Sequence, residues 1–253
     1  MLGGAVAGAY RRYFDAARGE EIRLFRGVYP SFEAAARDIP SGRPLGFDNP
    51  VSATRMLSEW LSVHPNDYPV LFWLAKLMPD HKTVFDWGGS VGLKYFAFRR
   101  HLDCTPDLVW IVGELPAVVE LGREIARCNS ATALRFTTGL DGVGDADILI
   151  AAGVLHFVEE PFAGLRAQPR LPRHLIINKA PVYDRPSAVT LHNMGTAFCP
   201  YHLFNRTEFV DSIKALGYRL IDEWRSPDVG CHIPFYPEHS IGAYSGFYFT
   251  RSD

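Results

Sequence analysis

Two acids and a cluster of glycines in this chain are spaced to hold a ligand, and three histidines are placed to move a proton. Asp86 ends the short apolar run Val84–Phe85 inside KTVFDWGGSVG (82–92), and Gly88, Gly89 and Gly92 follow it directly. A helical stretch, LKYFAFRRHL, comes next. Strand, acid, glycine turn and helix is how an α/β protein builds a pocket for a nucleotide-like ligand. The strand carries the acid to its C-terminal edge, the glycines let backbone and ligand approach, and the helix start offers unpaired N–H groups. Glu114 closes the next apolar run, LVWIVGELP. An acid there is placed to accept hydrogen bonds from both hydroxyls of a ribose. A solvated acid favoured by the following helix dipole is the plainer reading. His156, His192 and His202 are the candidate bases, because an imidazole titrates near neutrality and can take a proton from a hydroxyl. Packing roles are the alternative for each.

The glycine spacing discriminates between ligands. A dinucleotide fingerprint GxGxxG begun at Gly88 needs glycine at 90 and 93, where the chain has Ser90 and Leu93; begun at Gly89 it meets Val91 and Lys94. A nicotinamide or flavin cofactor therefore loses support. The acid-x-Gly-x-Gly-x-Gly turn of S-adenosylmethionine enzymes fits at Asp86, Gly88 and Gly92, with Ser90 in place of the middle glycine.

The elements that must position these residues can be read from pattern. Before residue 80 the chain reads as helices: residues 4–18, SFEAAARDIP with Ser31 and Glu33 at its start, 51–63, and 68–78 closed by Pro79. SGRPLGFDNP is a loop. From Val84 onward strands alternate with helices, at 83–87, 108–113, 133–138, 147–152 and 173–178, which argues for a parallel sheet covered on both faces. Pro116 opens the second helix. Residues 179–206 read as one long connection, and such a loop lies on the edge where open α/β sheets bind ligands. Asn205 and Glu208 form a cap-like pair before helix 207–216. Strands 218–224 and 244–251 have no helix between them and form an antiparallel pair at a sheet edge. The segment 226–240 is a loop with His232, Tyr236 and His239.

Composition narrows the class. The 253 residues are 47% hydrophobic and 21% charged with a formal net charge of -2, as in an ordinary globular protein. That charge argues against a nucleic-acid backbone as partner. Cys104, Cys128, Cys199 and Cys231 are scattered without a CxxC pair, which suits free thiols in a reducing compartment. A zinc site pooled from Cys199, His202, Cys231 and His232 matches no ligand spacing, so no metal is expected. No apolar run of ~18 residues suggests a membrane span, and a cytoplasmic location is the expectation.

VFDWGGSVG, VGELPAVVELG and DADILIAAGVLHFVEEP resemble motifs of the class I S-adenosylmethionine-dependent methyltransferases. The resemblance covers about 83–251. FRGVYPSFEAA and YHLFNRTEFVDSIKALGYRLIDEW further resemble an uncharacterised bacterial methyltransferase family linked to surface-polysaccharide loci. It implies a Rossmann-like, seven-stranded, mostly parallel sheet with an antiparallel edge hairpin and helices on both faces. Residues 1–80 would be an N-terminal helical cap and 81–253 the cofactor-binding domain. By resemblance, Asp86, Gly88, Gly89 and Gly92 line the methionine half of S-adenosylmethionine, Glu114 takes the ribose, Leu115 packs on the adenine and Asp141 reaches its amine, while Gly153 and Val154 lie beneath the sulfonium. A solvated loop acid is the alternative for Asp141. The implied activity is methyl transfer to a small-molecule or sugar hydroxyl, leaving S-adenosylhomocysteine. A non-catalytic cofactor-binding partner protein and a nicotinamide enzyme are the rival readings. Tyr10, Tyr13 and Phe14 read as core or dimer-surface aromatics, so a homodimer is among the expectations.

Overall fold

The computed structural model describes residues 2–19, 22–48, 62–103 and 105–251. The helix expected over 51–63 lies almost wholly outside these residues, as does Cys104.

Seven strands form the main sheet: β2 (Thr83–Trp87), β3 (Val109–Glu114), β4 (Leu134–Thr138), β5 (Ile148–Ala152), β6 (His174–Ala180), β10 (Arg219–Ser226) and β11 (Tyr244–Thr250). Their order is β10-β11-β6-β5-β2-β3-β4. Strands β6 to β4 pair in parallel, and only β11 runs against its neighbours. The central strands are nearly all apolar because both of their faces are covered. Val84, Phe85, Ile148, Leu149 and Ile150 are all fully buried, each contributing about 1.5–3 kcal/mol of burial free energy.

One face packs on helices α3 (Tyr68–Leu77), α4 (Leu93–Phe98) and α5 (Pro116–Cys128), around Trp110, Phe98 and Leu74. The other packs on α6 (Pro161–Arg166) and α7 (Arg206–Lys214), around Phe85, Leu149, Phe209 and Phe247. The Asn205 side chain caps α7 by accepting from Glu208 N at 3.0 Å, a device worth about 1 kcal/mol.

A second sheet stands over the C-terminal edge of the first, and here the sequence expectation is corrected. Residues 179–206 are not a loop. They hold β7 (Val182–Tyr183), β8 (Ala188–Asn193) and β9 (Phe198–Asn205). The N-terminal region supplies β1 (Leu24–Tyr29), where the sequence pattern predicts a helix-and-loop segment, and α2 (Phe32–Arg37), the helix expected at SFEAAARDIP. The order is β1-β8-β9-β7. The hairpin turn is closed by Met194 N donating to Ala197 O at 2.9 Å, with Gly195 at φ 78. Helix α1 (Leu2–Ala16) packs on its outer face through Phe14, Leu191 and Phe198, and Asn193 Nδ2 donates to Phe14 O at 2.6 Å. Of the three N-terminal aromatics, Phe14 is core, Tyr10 bonds Phe25 O, and Tyr13 is exposed. The inner face of the small sheet meets β11, where the Tyr201 and Tyr244 hydroxyls share a hydrogen bond of 2.6 Å.

Candidate functional site

Between the two sheets lies a cleft of about 1100 Å³. It opens at the C-terminal ends of β2, β3 and β5, the edge at which open α/β sheets bind ligands. The glycine turn forms its floor. Gly88 has φ 69, and a Cβ there would come within 2.6 Å of Val154, so only glycine lets the turn lie against the β5 loop. Ser90, which stands where the motif has a glycine, adopts φ 55. The left-handed backbone is therefore kept, at a cost of about 1–2 kcal/mol for a residue with a Cβ.

The two acids take different positions. Glu114 lines the cleft, with Oε1 accepting from Ser90 N at 3.0 Å and Oε2 from Leu115 N at 2.9 Å. An ionised carboxylate has about four lone-pair sites, so acceptor capacity remains for a ligand. Burial raises its pKa, the two amides lower it, and Asp86 raises it again. Asp86 is fully buried and is not among the cleft residues. Its carboxyl lies beneath Gly89, where a Cβ would meet Oδ2 at 2.5 Å. Neither oxygen has a hydrogen-bond partner, and the Trp110 indole interacts with it without reaching hydrogen-bonding geometry. Burial raises the Asp86 pKa, and the field of Lys94 opposes that shift.

Gly88, Gly89, Leu115, Gly153 and Val154 join Glu114 on the cleft wall, whereas Gly92, Asp141 and His202 do not line it. Leu115 is 38% exposed, available to pack on a flat ligand. Asp141 is exposed and accepts from Thr137 Oγ1 at 3.5 Å. Gly92, at φ 91, packs against Leu134 as the residue that starts α4.

The histidines separate by strand alternation. On β9, Tyr201 faces the cleft and His202 the other side, where its Nε2 meets Glu159 O at 2.8 Å and its ring lies 4.4 Å from Phe32. His192, on β8, and His156 both line the cleft and flank Tyr201 at ring separations of 5.3 and 4.3 Å. His192 stacks on Phe25 at 4.2 Å. Both rings are 4% exposed, and burial drives both pKa values down, that of His156 to about 3. They are neutral imidazoles at pH 7. Both nitrogens of His192 and Nδ1 of His156 are sealed without a partner.

Sequence reasoning missed Phe25, Asp67, Lys94 and Lys179, all of which line the cleft, and took Tyr201 for part of a loop along its wall. A hairpin signal was present for Tyr201: HNMGTAF places a Gly-containing turn between β-branched and aromatic runs. Nothing local marks Asp67 or Lys179. Among the described residues, no three His, Cys, Asp or Glu side chains are grouped to hold a metal ion, and no helix is long and apolar enough to cross a membrane.

No protein-family model and no curated protein matches the chain. Solved structures do. The 1,6-didemethyltoxoflavin-N1-methyltransferase of Burkholderia thailandensis, solved with 1,6-didemethyltoxoflavin and S-adenosylhomocysteine, aligns at TM-score 0.51 and 17% identity over 85% of this chain and 95% of that one. The CcbJ methyltransferase of Streptomyces caelestis aligns at TM-score 0.50 and 14% identity over 83% and 99%. The N-terminal domain of EvdMO1, solved with S-adenosylhomocysteine and D-fucose, aligns at TM-score 0.50 and 13% identity over 76% and 85%. The chain therefore has the Rossmann-like fold shared by these methyltransferases, with the small sheet β1-β8-β9-β7 standing over its ligand-binding edge.

Proposed function

We propose that the protein is an S-adenosylmethionine-dependent methyltransferase acting on a hydroxyl of a small molecule or sugar. The observation that carries this is Glu114: a carboxylate at the end of β3, tied by one oxygen to the glycine turn, with lone pairs left for a diol and Leu115 beside it. The residues fit the cofactor. Glu114 would take the ribose hydroxyls, Leu115 would pack on the adenine, and Gly88, Gly89, Gly153 and Val154 would line the sulfonium side. We assign Asp86 and Gly92 to holding the turn from beneath, and Asp141 to the rim at the adenine end.

When bound, the cofactor supplies an electrophilic methyl group. The chain's own task is to align an acceptor and keep water out. Phe25, Phe157 and Tyr201 form an aromatic acceptor wall, and the neutral imidazoles of His156 and His192 stand within it. Both nitrogens of His192 and Nδ1 of His156 are sealed, so each of these must become exposed as the acceptor binds before it can take a proton. His202 is assigned to bracing the 155–160 segment through Glu159. Residues 1–80 act as the cap, supported by the presence of Phe25, Phe32 and Asp67 on the cleft wall.

Calorimetry with S-adenosylhomocysteine and with NAD(H) tests the reading. Binding of the first and not the second is expected; the reverse removes it in favour of a nicotinamide enzyme. Binding with no turnover of any phenolic or sugar acceptor would instead favour a non-catalytic partner protein.

A further inference from the structure

We infer that Lys179 is the acceptor-binding residue of the cleft and that the acceptor is a phenol held as its phenolate. This rests on the methyltransferase reading above.

Three observations place the ammonium deliberately. Lys179 has φ 57, a left-handed conformation that is uncommon for a long side chain and that clusters at functional sites. It lies in a bulge: Ser245 pairs with Ala180 but Phe247 pairs with Ile177, so β6 carries one extra residue. Bulges of this kind re-aim a side chain next to a site. The side chain then runs over the β5 loop, its Cδ 4.0 Å from where a Cβ on Gly153 would be, and lines the cleft.

The ammonium is also held in place. Nζ pairs with Asp67 Oδ1 at 3.4 Å, and Asp67 is buried. Asn178 Nδ2 donates to Asn66 O at 2.8 Å, which stitches the 65–67 turn to the same strand end. Of the other cations on the wall, Lys94 offsets the charges of Asp86 and Glu114, and Arg23 is exposed. Among the described residues, Lys179 is the lysine on the wall that lies beside Gly153.

The chemistry follows from what else lines the cleft. Both nitrogens of His192 and Nδ1 of His156 are sealed, so an acceptor that must lose a proton to any of these requires movement of the wall. A hydroxyl that is already ionised does not. A phenol ionises near pH 10 in water, as tyrosine does, and an adjacent ammonium lowers that value, with the Asp67 carboxylate paired to it opposing part of the shift; an aliphatic sugar hydroxyl stays protonated. The Phe25, Phe157 and Tyr201 rings suit a flat aromatic partner by stacking or edge contact.

The probe is 4-nitrophenol, whose ionisation is read from its visible absorbance, titrated with pH in the presence of the protein, with and without S-adenosylhomocysteine. The wild-type protein is expected to shift the bound probe's ionisation to lower pH by about one unit, a tenfold effect. Lys179→Arg should keep the shift. Lys179→Gly, which retains the left-handed backbone, and Lys179→Met should lose it and weaken phenolate binding about tenfold. An unshifted or unbound probe with wild-type protein overturns the inference, as does a shift that survives Lys179→Gly, or Lys179-dependent binding of benzoate in place of the phenolate. Calorimetry with S-adenosylhomocysteine separates the two claims. If it binds while the phenolate result fails, only this inference falls; if it does not bind, both do.

Discussion

Glu114 and Ser90 form one unit: Oε1 of the carboxylate accepts the Ser90 amide at 3.0 Å, tying the end of β3 to the left-handed centre of the glycine turn. The acid proposed to hold a ribose is therefore also the acid that shapes the turn beneath it.

Glu114→Ala is expected to weaken S-adenosylhomocysteine binding by about 1–3 kcal/mol through loss of charge-assisted hydrogen bonds. Glu114→Gln, which keeps one acceptor oxygen, should lose less. Isothermal calorimetry on the three proteins checks this, and equal affinities would remove the ribose assignment.

Ser90→Gly should relieve the left-handed backbone and, once the glycine's greater freedom in the unfolded chain is offset, stabilise the fold by about 0.5–1 kcal/mol, raising the melting midpoint by about 1–4 °C for a chain of this size. Ser90→Val should do the opposite. Calorimetric melting curves decide, and a Gly variant no more stable than the wild type would mean the turn is not strained.

His156 gives the fold a dependence on acid. Burial moves its pKa from 6.5 to about 3, so between those values the unfolded chain binds more protons than the folded one. Stability is full above pH 6.5 and falls as the pH drops through the window. A loss of a few kcal/mol is expected between about pH 7.5 and about pH 4. His156→Leu should flatten this slope, measured as the change in urea midpoint between the two pH values. An unchanged slope would place the acid sensitivity elsewhere.

Asn193 ties α1 to the hairpin turn, donating to Phe14 O at 2.6 Å and accepting from Gly195 N at 2.7 Å. Asn193→Ala leaves both buried groups unpaired and is expected to cost about 1–3 kcal/mol. Proteolysis within residues 2–18 should accelerate before the main sheet opens. Cleavage at the wild-type rate would show that α1 is held by packing alone.

Much of the main sheet was legible because its signals are local. Val84–Phe85 before Asp86, the apolar run 148–152, Pro116 at a helix start and the Asn205–Glu208 cap all read correctly from neighbours a few residues apart. The glycine turn was legible for the same reason; that Ser90 keeps the left-handed backbone of the glycine it replaces was not. The small sheet was not. Its strand β1 is flanked by helices, Pro200 interrupts β9, and the pairing of Phe25 with His192 joins distant parts of the chain.

The sequence by itself determined the strand–turn–helix order, the acids at two successive strand ends and the exclusion of a dinucleotide fingerprint, because backbone propensity and spacing are properties of adjacent residues. Only the tertiary structure decided which acid faces the cleft, which histidines line it, and that Lys179 is turned toward it by a bulge. Those outcomes depend on burial and strand register, which are set by contacts such as Asn193 to Phe14, 179 residues apart.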